Sequence, residues 1–325
     1  MATAVIAGCG GIGLRHAQAA CAVSDIDRVV IIEPNAARRD QVMSELRAGN
    51  PQIALTAFAG IDQAATEFAK AEIVVAAVTP DVTAEILETV VRIEALAYLF
   101  EKPVAQSAAG LDRLVSLLRR TGVEARTFVN CSRNLWQPYA AVRARYVTSA
   151  PARLHMEVYG ALWGFGCNAV HFLELLRWVT GCREVKCVDA RLSLSPLGNK
   201  RGKRFEEFVG TAAFCSDRGD TIELTSRADQ AEPPSISVRI RATQGEPLDI
   251  LVEETAGIVR DLIVRRQHAF KPAFVITTTQ QFIDAALGEE LAGLPLPAVV
   301  QAAVSHRALF QALSMATERD QFAIA

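Results

Sequence analysis

Short apolar runs alternate with longer segments of helical period over the first 130 residues of the chain. The runs predict strands at 3–7, 28–32, 53–57, 73–78, 97–100 and 125–129. The segments between them predict helices near 12–22, 36–48, 62–69, 82–94 and 107–120. Because strands joined through helices run parallel and are covered on both faces, the pattern predicts an α/β domain with a doubly wound parallel sheet.

From about residue 150 the strand-like runs follow one another without a helix between most of them. They lie at 152–160, 184–193, 206–215, 220–227, 236–242 and 248–253. Helical patterns remain at 168–180, 274–287 and 299–317. We therefore expect a first domain at 1–130 and a second, α+β domain at 131–325, whose open-faced sheet is mostly antiparallel.

Composition narrows the class of protein. The 34 Lys and Arg against 36 Asp and Glu give a net charge of −2, which argues against nucleic acid or an anionic membrane as a partner. No apolar segment approaches the roughly 20 residues of a membrane span, and the first residues do not resemble a secretory leader. Seven scattered cysteines contain no C-x-x-C pair. These features predict a soluble cytoplasmic protein without a metal site.

A glycine-rich motif follows the first predicted strand and opens the first predicted helix. Residues 8–13 read G-C-G-G-I-G, which matches G-x-G-x-x-G. The first glycine permits a tight turn, the second lets the main chain approach a pyrophosphate, and the third lets the helix pack closely on the strand. The motif predicts a dinucleotide site formed by Gly8, Gly10, Gly11, Ile12 and Gly13.

An acidic residue stands where such a site needs one. Glu33 ends the second predicted strand, 20 residues beyond Gly13, where a carboxylate accepts hydrogen bonds from the adenosine ribose. Its negative charge would repel a 2′-phosphate, so we expect NAD rather than NADP. Arg38 and Arg39 on the next helix leave a second interpretation open, because they either face a 2′-phosphate or belong to an ordinary helix surface.

Two later strands of the predicted parallel sheet end in polar residues. Ligands of such sheets bind outside the carboxyl ends of the strands, so Thr79, Pro80 and Glu101 are expected near the cofactor. Lys102 follows at the point where a nicotinamide and a substrate would meet. Its ammonium group can polarise a carbonyl, although the residues alone leave an ion-paired surface lysine equally open.

One helix of the second domain carries candidate chemistry. Asn168, His171 and Glu174 share a face at helical spacing. His171 can accept a hydroxyl proton near neutral pH, or it is a hydrogen-bonded structural histidine. Asn168 suits a substrate or nicotinamide contact, and the neighbouring Cys167 is either a buried filler or a reactive thiol.

The runs AGCGGIG, VTP and EKP, with the two-domain layout, resemble the Gfo/Idh/MocA family of glucose-fructose oxidoreductase and inositol dehydrogenase over essentially the whole chain. The resemblance implies that Lys102 is catalytic or orients the substrate, and that the bond to Pro103 is cis. It also implies that His171 is the acid/base, with an acidic residue, Glu174, three positions later. The chain departs from the family at Cys167, where an aspartate is common, which puts substrate recognition and the proton relay in doubt.

Two further basic sites are weaker candidates. Arg133, in a segment similar to one of the family, either holds an anionic or polyhydroxy substrate or forms a surface salt bridge. A basic loop is either a carboxylate or phosphate contact or a solvated hairpin; its charged residues are Lys200, Arg201, Lys203 and Arg204.

Together these features predict an NAD-dependent dehydrogenase that transfers hydride between nicotinamide and a secondary alcohol of a sugar, cyclitol or nucleotide sugar. Lys102 and His171 are expected to converge beside the nicotinamide, Arg133, Asn168 and Glu174 to contact the substrate, and the second sheet to form a homodimer or homotetramer. A sensor that binds NAD without turnover, and a lyase or hydrolase that uses NAD transiently, are the alternatives.

Overall fold

The computed structural model describes residues 2–148, 152–199, 201–229 and 235–325. Its N-terminal part consists of β1 (Ala2–Ala7), α1 (Gly11–Cys21), β2 (Ile26–Ile32), α2 (Ala36–Gly49), β3 (Ala54–Phe58), α3 (Ile61–Glu67), β4 (Lys70–Ala76), α4 (Thr83–Val90), β5 (Glu94–Phe100), α5 (Ala108–Arg120) and β6 (Thr127–Val129). All six strands are parallel, in the order β3-β2-β1-β4-β5-β6. The predicted doubly wound α/β sheet is confirmed.

The strand order reverses between β1 and β4, which creates the crevice where such sheets bind ligands. Backbone hydrogen bonds extend the sheet one residue beyond several strands. The N–H groups of Gly8, Ala77, Glu101 and Asn130 each donate to a carbonyl of a neighbouring strand at 2.8–2.9 Å. The loops that begin at these four residues therefore start from one edge of the sheet.

The C-terminal part begins with α6 (Gln137–Thr148), β7 (Arg153–Ala161), α7 (Phe165–Thr180), β8 (Val185–Leu194), β9 (Phe208–Ser216), β10 (Thr221–Arg227) and β11 (Ile236–Gln244). It continues with β12 (Asp249–Glu253), β13 (Ile258–Asp261), β14 (Arg266–Ala269), α8 (Val275–Leu287) and α9 (Val299–Thr317). Its strands form one sheet, in the order β14-β13-β12-β11-β7-β10-β9-β8. Among these strands only β7 and β10 pair in parallel, so the predicted mostly antiparallel sheet is confirmed.

One face of this second sheet is apolar and the other is polar. Along β7, Met156 and Val158 are buried while Tyr159 is 47% exposed. The polar face carries ion pairs across the strands, including Arg239 with Asp249. The alternation follows from the period of two in a strand, which sends successive side chains to opposite faces.

The chain divides into two compact units that differ from the expected domains. One unit comprises residues 1–105, 109–132 and 273–300, and the other comprises 106–108, 133–272 and 301–325. Helix α8 thus belongs with the parallel sheet, where the rings of Phe128 and Phe282 lie 5.7 Å apart. Helical periodicity at 274–287 indicates one buried face, but it does not indicate which sheet that face covers.

Three elements were not anticipated. Helix α6 lies within residues 131–150, where no element was predicted; Pro138 in its first turn is a helix-start signal, and Tyr139, Val142 and Tyr146 form its buried stripe. Strands β13 and β14 have four residues each, too short for a clear alternation.

Within the described ranges, no helix is both long and apolar enough to cross a membrane.

Candidate active site

The glycine turn between β1 and α1 leaves no room for side chains at two positions. Gly8 has φ +84°, and a Cβ there would lie 2.7 Å from the carbonyl oxygen of Ala77. A Cβ on Gly13 would lie 1.8 Å from the carbonyl oxygen of Gly8. Helix α1 therefore approaches the turn so closely that only glycine fits, as predicted from the motif.

The other side of this turn is open. A Cβ on Gly10 or Gly11 would meet no atom within 4 Å, and Ile12 is 37% exposed. The first N–H groups of a helix have no intrahelical partner and carry partial positive charge. An open glycine turn at the start of α1 therefore fits the pyrophosphate of a dinucleotide.

Glu33 lies against the same turn. Its side chain is buried, with Oε2 accepting from the N–H of Cys9 at 3.0 Å and Oε1 accepting from the N–H of Asn35 at 3.0 Å. Each carboxylate oxygen can accept a second hydrogen bond. The carboxylate thus supports the turn and retains acceptor capacity for ribose hydroxyls.

Arg38 and Arg39 bind main-chain carbonyls at this site. Arg38 Nε donates to the carbonyl of Cys9 at 2.8 Å, and Arg39 Nη1 donates to the carbonyl of Glu33 at 2.8 Å. Burial, together with the charge of Glu33 and against that of Arg38, raises the pKa of the Cys9 thiol to about 12. Cys9 is therefore protonated at neutral pH. Arg38, through its hydrogen bond to the Cys9 carbonyl, lies beside the turn where the adenosine ribose is expected.

The end of β5 presents the lysine predicted to be catalytic. The Lys102–Pro103 peptide bond is cis, as the family resemblance implied, and Lys102 is partly exposed. Thr79 and buried Pro80 follow β4, and the carbonyl of Thr79 accepts from the Thr83 hydroxyl at 3.1 Å. Thr79 therefore also anchors the start of α4.

Glu101, predicted to contact the cofactor, binds protein groups. Its Oε1 accepts from Asn130 Nδ2 at 2.5 Å and lies 3.0 Å from His16 Nε2. Burial alone would raise the pKa of Glu101, but the hydrogen bond and charge of His16, the charge of Lys102 and the Asn130 hydrogen bond together lower it. Glu101 is therefore an ionised carboxylate at neutral pH.

His16 was not among the predicted site residues. It lies on α1 three residues beyond Gly13 and is fully buried. Its Nδ1 lies 2.7 Å from Thr279 Oγ1 of α8, in addition to the contact with Glu101. The one sign in the sequence was a polar residue at a position of the alanine-rich helix α1 that faces the core. Because its partners are distant in sequence, His16 could not be told apart from a polar residue on the helix surface.

Helix α7 is buried on nearly all sides, including the face expected to be polar. His171 is 6% exposed, and Glu174 is fully buried. The Glu174 carboxylate accepts from Arg177 Nε at 2.8 Å and Nη2 at 2.6 Å, and from Ser305 Oγ at 2.9 Å. Glu174 therefore forms a buried ion pair inside the protein.

The start of α7 carries Cys167, at the position where an aspartate is common in the family, and the neighbouring Asn168. Asn168 Nδ2 donates to the carbonyl of Trp163 at 2.6 Å, and Cys167 Sγ lies 3.5 Å from the carbonyl oxygen of Gly164. A carboxylate from another element reaches this helix end, because Glu207 Oε1 accepts from the N–H of Gly166 at 3.1 Å. Sequence spacing did not indicate Glu207, since it lies after β8, far along the chain.

Arg133 is buried rather than part of a surface salt bridge. Its Nε and Nη2 bind the two carboxylate oxygens of Glu254 at 2.7 and 2.6 Å, and its guanidinium lies 4.1 Å from the ring centre of Phe172. The Tyr139 hydroxyl also donates to Glu254 at 2.7 Å. The fork expected to hold a substrate is thus engaged by Glu254.

The basic loop lies between β8 and β9. Arg201, Lys203 and Arg204 are exposed, and Lys200 lies outside the described residues. The Arg204 guanidinium stacks 4.5 Å from the ring centre of Phe205. Exposure of these charges fits a solvated loop.

The unit with the parallel sheet brings together the glycine turn, Glu33 and Glu101. The other unit places Asn168, His171 and Glu174 on one helix. Because Lys102 and His171 belong to different units, their convergence stays a prediction. No group of three or more metal-ligating side chains occurs among the residues that the structure describes.

Solved structures of known proteins share the fold. A UDP-N-acetylglucosamine 3-dehydrogenase from Acidithiobacillus ferrooxidans is 19% identical, with TM-score 0.69 over 97% of this chain and 98% of that one. A myo-inositol dehydrogenase from Lactobacillus casei, solved with NAD(H) and myo-inositol, is 12% identical, with TM-score 0.69 over 100% and 97%. A Synechocystis biliverdin reductase with biliverdin and NADP+ is 13% identical, with TM-score 0.68 over 95% and 98%.

The search of curated proteins found no match. The N-terminal part does match a described family, an oxidoreductase family with an NAD-binding Rossmann fold, over residues 2–129. This match covers the glycine turn, Glu33 and Lys102. The resemblance inferred from sequence is thereby confirmed over residues 2–129, which match the Gfo/Idh/MocA oxidoreductases.

Proposed function

We propose that the protein is an NAD-dependent dehydrogenase acting on a secondary alcohol of a sugar, cyclitol or nucleotide sugar. The observation that carries the proposal is the open glycine turn at the start of α1 with the buried Glu33 carboxylate against it. Structural relatives named for inositols and for a UDP-sugar support this substrate class.

NAD is the cofactor that we propose, and its nicotinamide supplies the hydride acceptor when bound. Gly10, Gly11 and Ile12 leave the start of α1 open for the pyrophosphate, and Gly8 and Gly13 hold the turn in shape. Glu33 accepts hydrogen bonds from the ribose diol, and its charge disfavours a 2′-phosphate. Arg38 lies close enough to weaken that preference, although its Nε is engaged by the loop carbonyl.

Lys102 and His171 are the proposed catalytic residues. Lys102 donates a hydrogen bond to the reacting substrate oxygen, and His171 takes the hydroxyl proton as hydride leaves carbon. Thr79, Pro80 and Glu101 belong to the two strand ends beside the proposed nicotinamide site. Burial of His171 favours the proton transfer, because a site shielded from water strengthens electrostatic interactions.

Asn168 is the proposed direct substrate contact on α7. We revise the roles expected for Arg133 and Glu174, whose charged groups are engaged by Glu254 and by Arg177. Arg133 thereby fixes the segment after β6, and Glu174 fixes helix α7. Neither side chain is therefore proposed to hold the substrate directly.

We also propose that a second copy of the chain covers the polar face of the second sheet, giving a homodimer or homotetramer. Tyr159 and paired arginines on that face are residue types enriched at interfaces. Sedimentation at several concentrations tests this, and a monomer at micromolar concentration contradicts it.

A reducing cytoplasm suits the seven cysteines, all of them free thiols.

A regulatory protein that binds NAD without turnover is the second candidate. The observations that favour it are Cys167 in place of an aspartate and the enclosure of Glu174 by Arg177 and Ser305. A protein of this class would bind NAD and leave every sugar unchanged.

The test combines calorimetric NAD binding with NADH formation across a panel of sugars, cyclitols and nucleotide sugars. If the protein is a dehydrogenase, NAD should bind more tightly than NADP. NADH should also form with at least one substrate of the panel. Lys102→Met and His171→Asn should each lower kcat by about a hundredfold or more. Product without NADH accumulation indicates a lyase or hydrolase, and binding without any product indicates the regulator.

A further inference from the structure

His16 connects three segments of the parallel-sheet unit through one imidazole ring. The ring is on α1, its Nε2 meets Glu101 at the end of β5, and its Nδ1 meets Thr279 on α8. Asn130, after β6, binds the same Glu101 oxygen. A fully buried side chain therefore joins the helix of the glycine turn to the residue before Lys102.

The hydrogen bonds around the ring define its protons. Thr279 has one hydroxyl proton, and its Oγ1 lies 2.7 Å from the carbonyl oxygen of Val275, which can only accept. The Thr279 oxygen then accepts from His16 Nδ1. Glu101 Oε1 accepts from Asn130 Nδ2, and a carboxyl group ordinarily loses its proton before an imidazolium does, so a carboxylate at Glu101 accepts from His16 Nε2. This set of hydrogen bonds needs a proton on each ring nitrogen, as in an imidazolium.

We propose that His16 is a cationic positioning residue, which pairs with Glu101 and holds the Lys102 segment against the dinucleotide-binding helix. The charged group that faces the His16 ring is Glu101, and the charge of Lys102 acts on the Glu101 carboxylate. The neutral polar neighbours of the His16–Glu101 pair are Asn130 and Thr279. The role in catalysis rests on the proposed dehydrogenase function. The charge and the anchoring do not depend on it.

The arrangement explains how the cofactor helix and Lys102 keep a common geometry. The start of α1 is the proposed pyrophosphate site, and His16 lies in the second turn of the same helix. Removing the ion pair frees the Lys102 segment to shift relative to α1. Displacement of a catalytic group by about 1 Å lowers turnover on the order of a hundredfold.

The first test measures the ring itself in the wild-type protein. Nitrogen NMR of protein labelled at histidine should show one ring with both nitrogens protonated at pH 7.5, and His16→Gln should remove that signal. A neutral ring assigned to His16 would overturn the proposal. This measurement needs no substrate, so it decides the charge whether or not the dehydrogenase activity is found.

The second test separates positioning from ordinary stabilisation. His16→Gln retains a donor but removes the charge, so kcat should fall roughly tenfold to a hundredfold, with KM changing less than about threefold. Because the His16 cation lowers the pKa of Glu101, the acid limb of the pH profile of kcat should move to higher pH in His16→Gln. In the double variant with Glu101→Gln, the shifted limb should disappear.

His306→Gln is the matched control, since His306 is also a fully buried histidine but belongs to the other unit. It should lower the thermal midpoint without moving the acid limb. An unmoved limb in His16→Gln would overturn the positioning role. Absence of turnover with every substrate, together with a cationic His16 ring, would instead refute the proposed function and leave the charge assignment intact.

Discussion

Adding one methyl group at Gly13 should separate the two tasks of the glycine turn. In Gly13→Ala the new Cβ would lie 1.8 Å from the Gly8 carbonyl oxygen, whereas ordinary contacts begin near 3.4 Å. The helix or the turn must therefore move by more than 1 Å. Overpacking of this kind costs about 1–3 kcal/mol.

Gly11→Ala and Gly10→Ala are the matched controls, because their Cβ atoms meet nothing within 4 Å. Alanine at Gly11, the first residue of α1, should stabilise the chain by roughly 0.5–1 kcal/mol, since it is a better helix former. Gly10→Ala should leave the stability of the free protein nearly unchanged. It should still weaken NAD binding, because its methyl group occupies the open side where the pyrophosphate must approach.

The assay is a thermal scan of each variant with and without NAD. Gly13→Ala should unfold at lower temperature in both scans, and Gly10→Ala should match the wild type only when NAD is absent. An NAD-induced stabilisation of Gly10→Ala equal to that of the wild type would refute the assignment of this turn to the pyrophosphate.

Further predictions concern other buried charges. Glu254→Ala should lower the free energy of unfolding by about 3–5 kcal/mol, because it leaves Arg133 buried without its carboxylate; a loss under 1 kcal/mol in urea unfolding would contradict this. The lowered pKa of Glu101 means that its ionised form stabilises the fold above its ordinary value of 4.5, and that this contribution is lost as pH falls through the lowered pKa. Below pH 4.5, Glu101→Gln should therefore show a shallower loss of thermal stability than the wild type, and parallel curves would exclude the linkage. Glu33→Gln should raise NADP affinity relative to NAD by about tenfold, measured by calorimetry, with Arg38 then available to the 2′-phosphate; an unchanged ratio would remove Glu33 from the ribose site.

The parallel sheet was predictable from the chain because its determinants are local. Each strand is a short apolar run, each crossover is a helical segment, and glycine spacing defines the turn at residues 8–13. The tight contact of Gly13 with Gly8 follows from that spacing. The cis bond at Lys102–Pro103 agrees with what the family resemblance implied.

The candidate site was less predictable because its partners are distant in sequence. Arg133 and Glu254 lie 121 residues apart, so nothing near Arg133 indicated that its fork was engaged. His16 and Thr279 are 263 residues apart and meet because α8 returns to the parallel sheet. Periodicity reports that a face is buried, and only tertiary packing decides which residue covers it.

The decisive measurement is a crystal structure of the protein with NAD and a substrate. We expect the pyrophosphate at the first turn of α1, with Lys102 Nζ and a ring nitrogen of His171 both about 2.6–3.2 Å from the reacting substrate oxygen. Lys102 and His171 nitrogens contacting different ligands, or a cofactor bound away from the glycine turn, would contradict it.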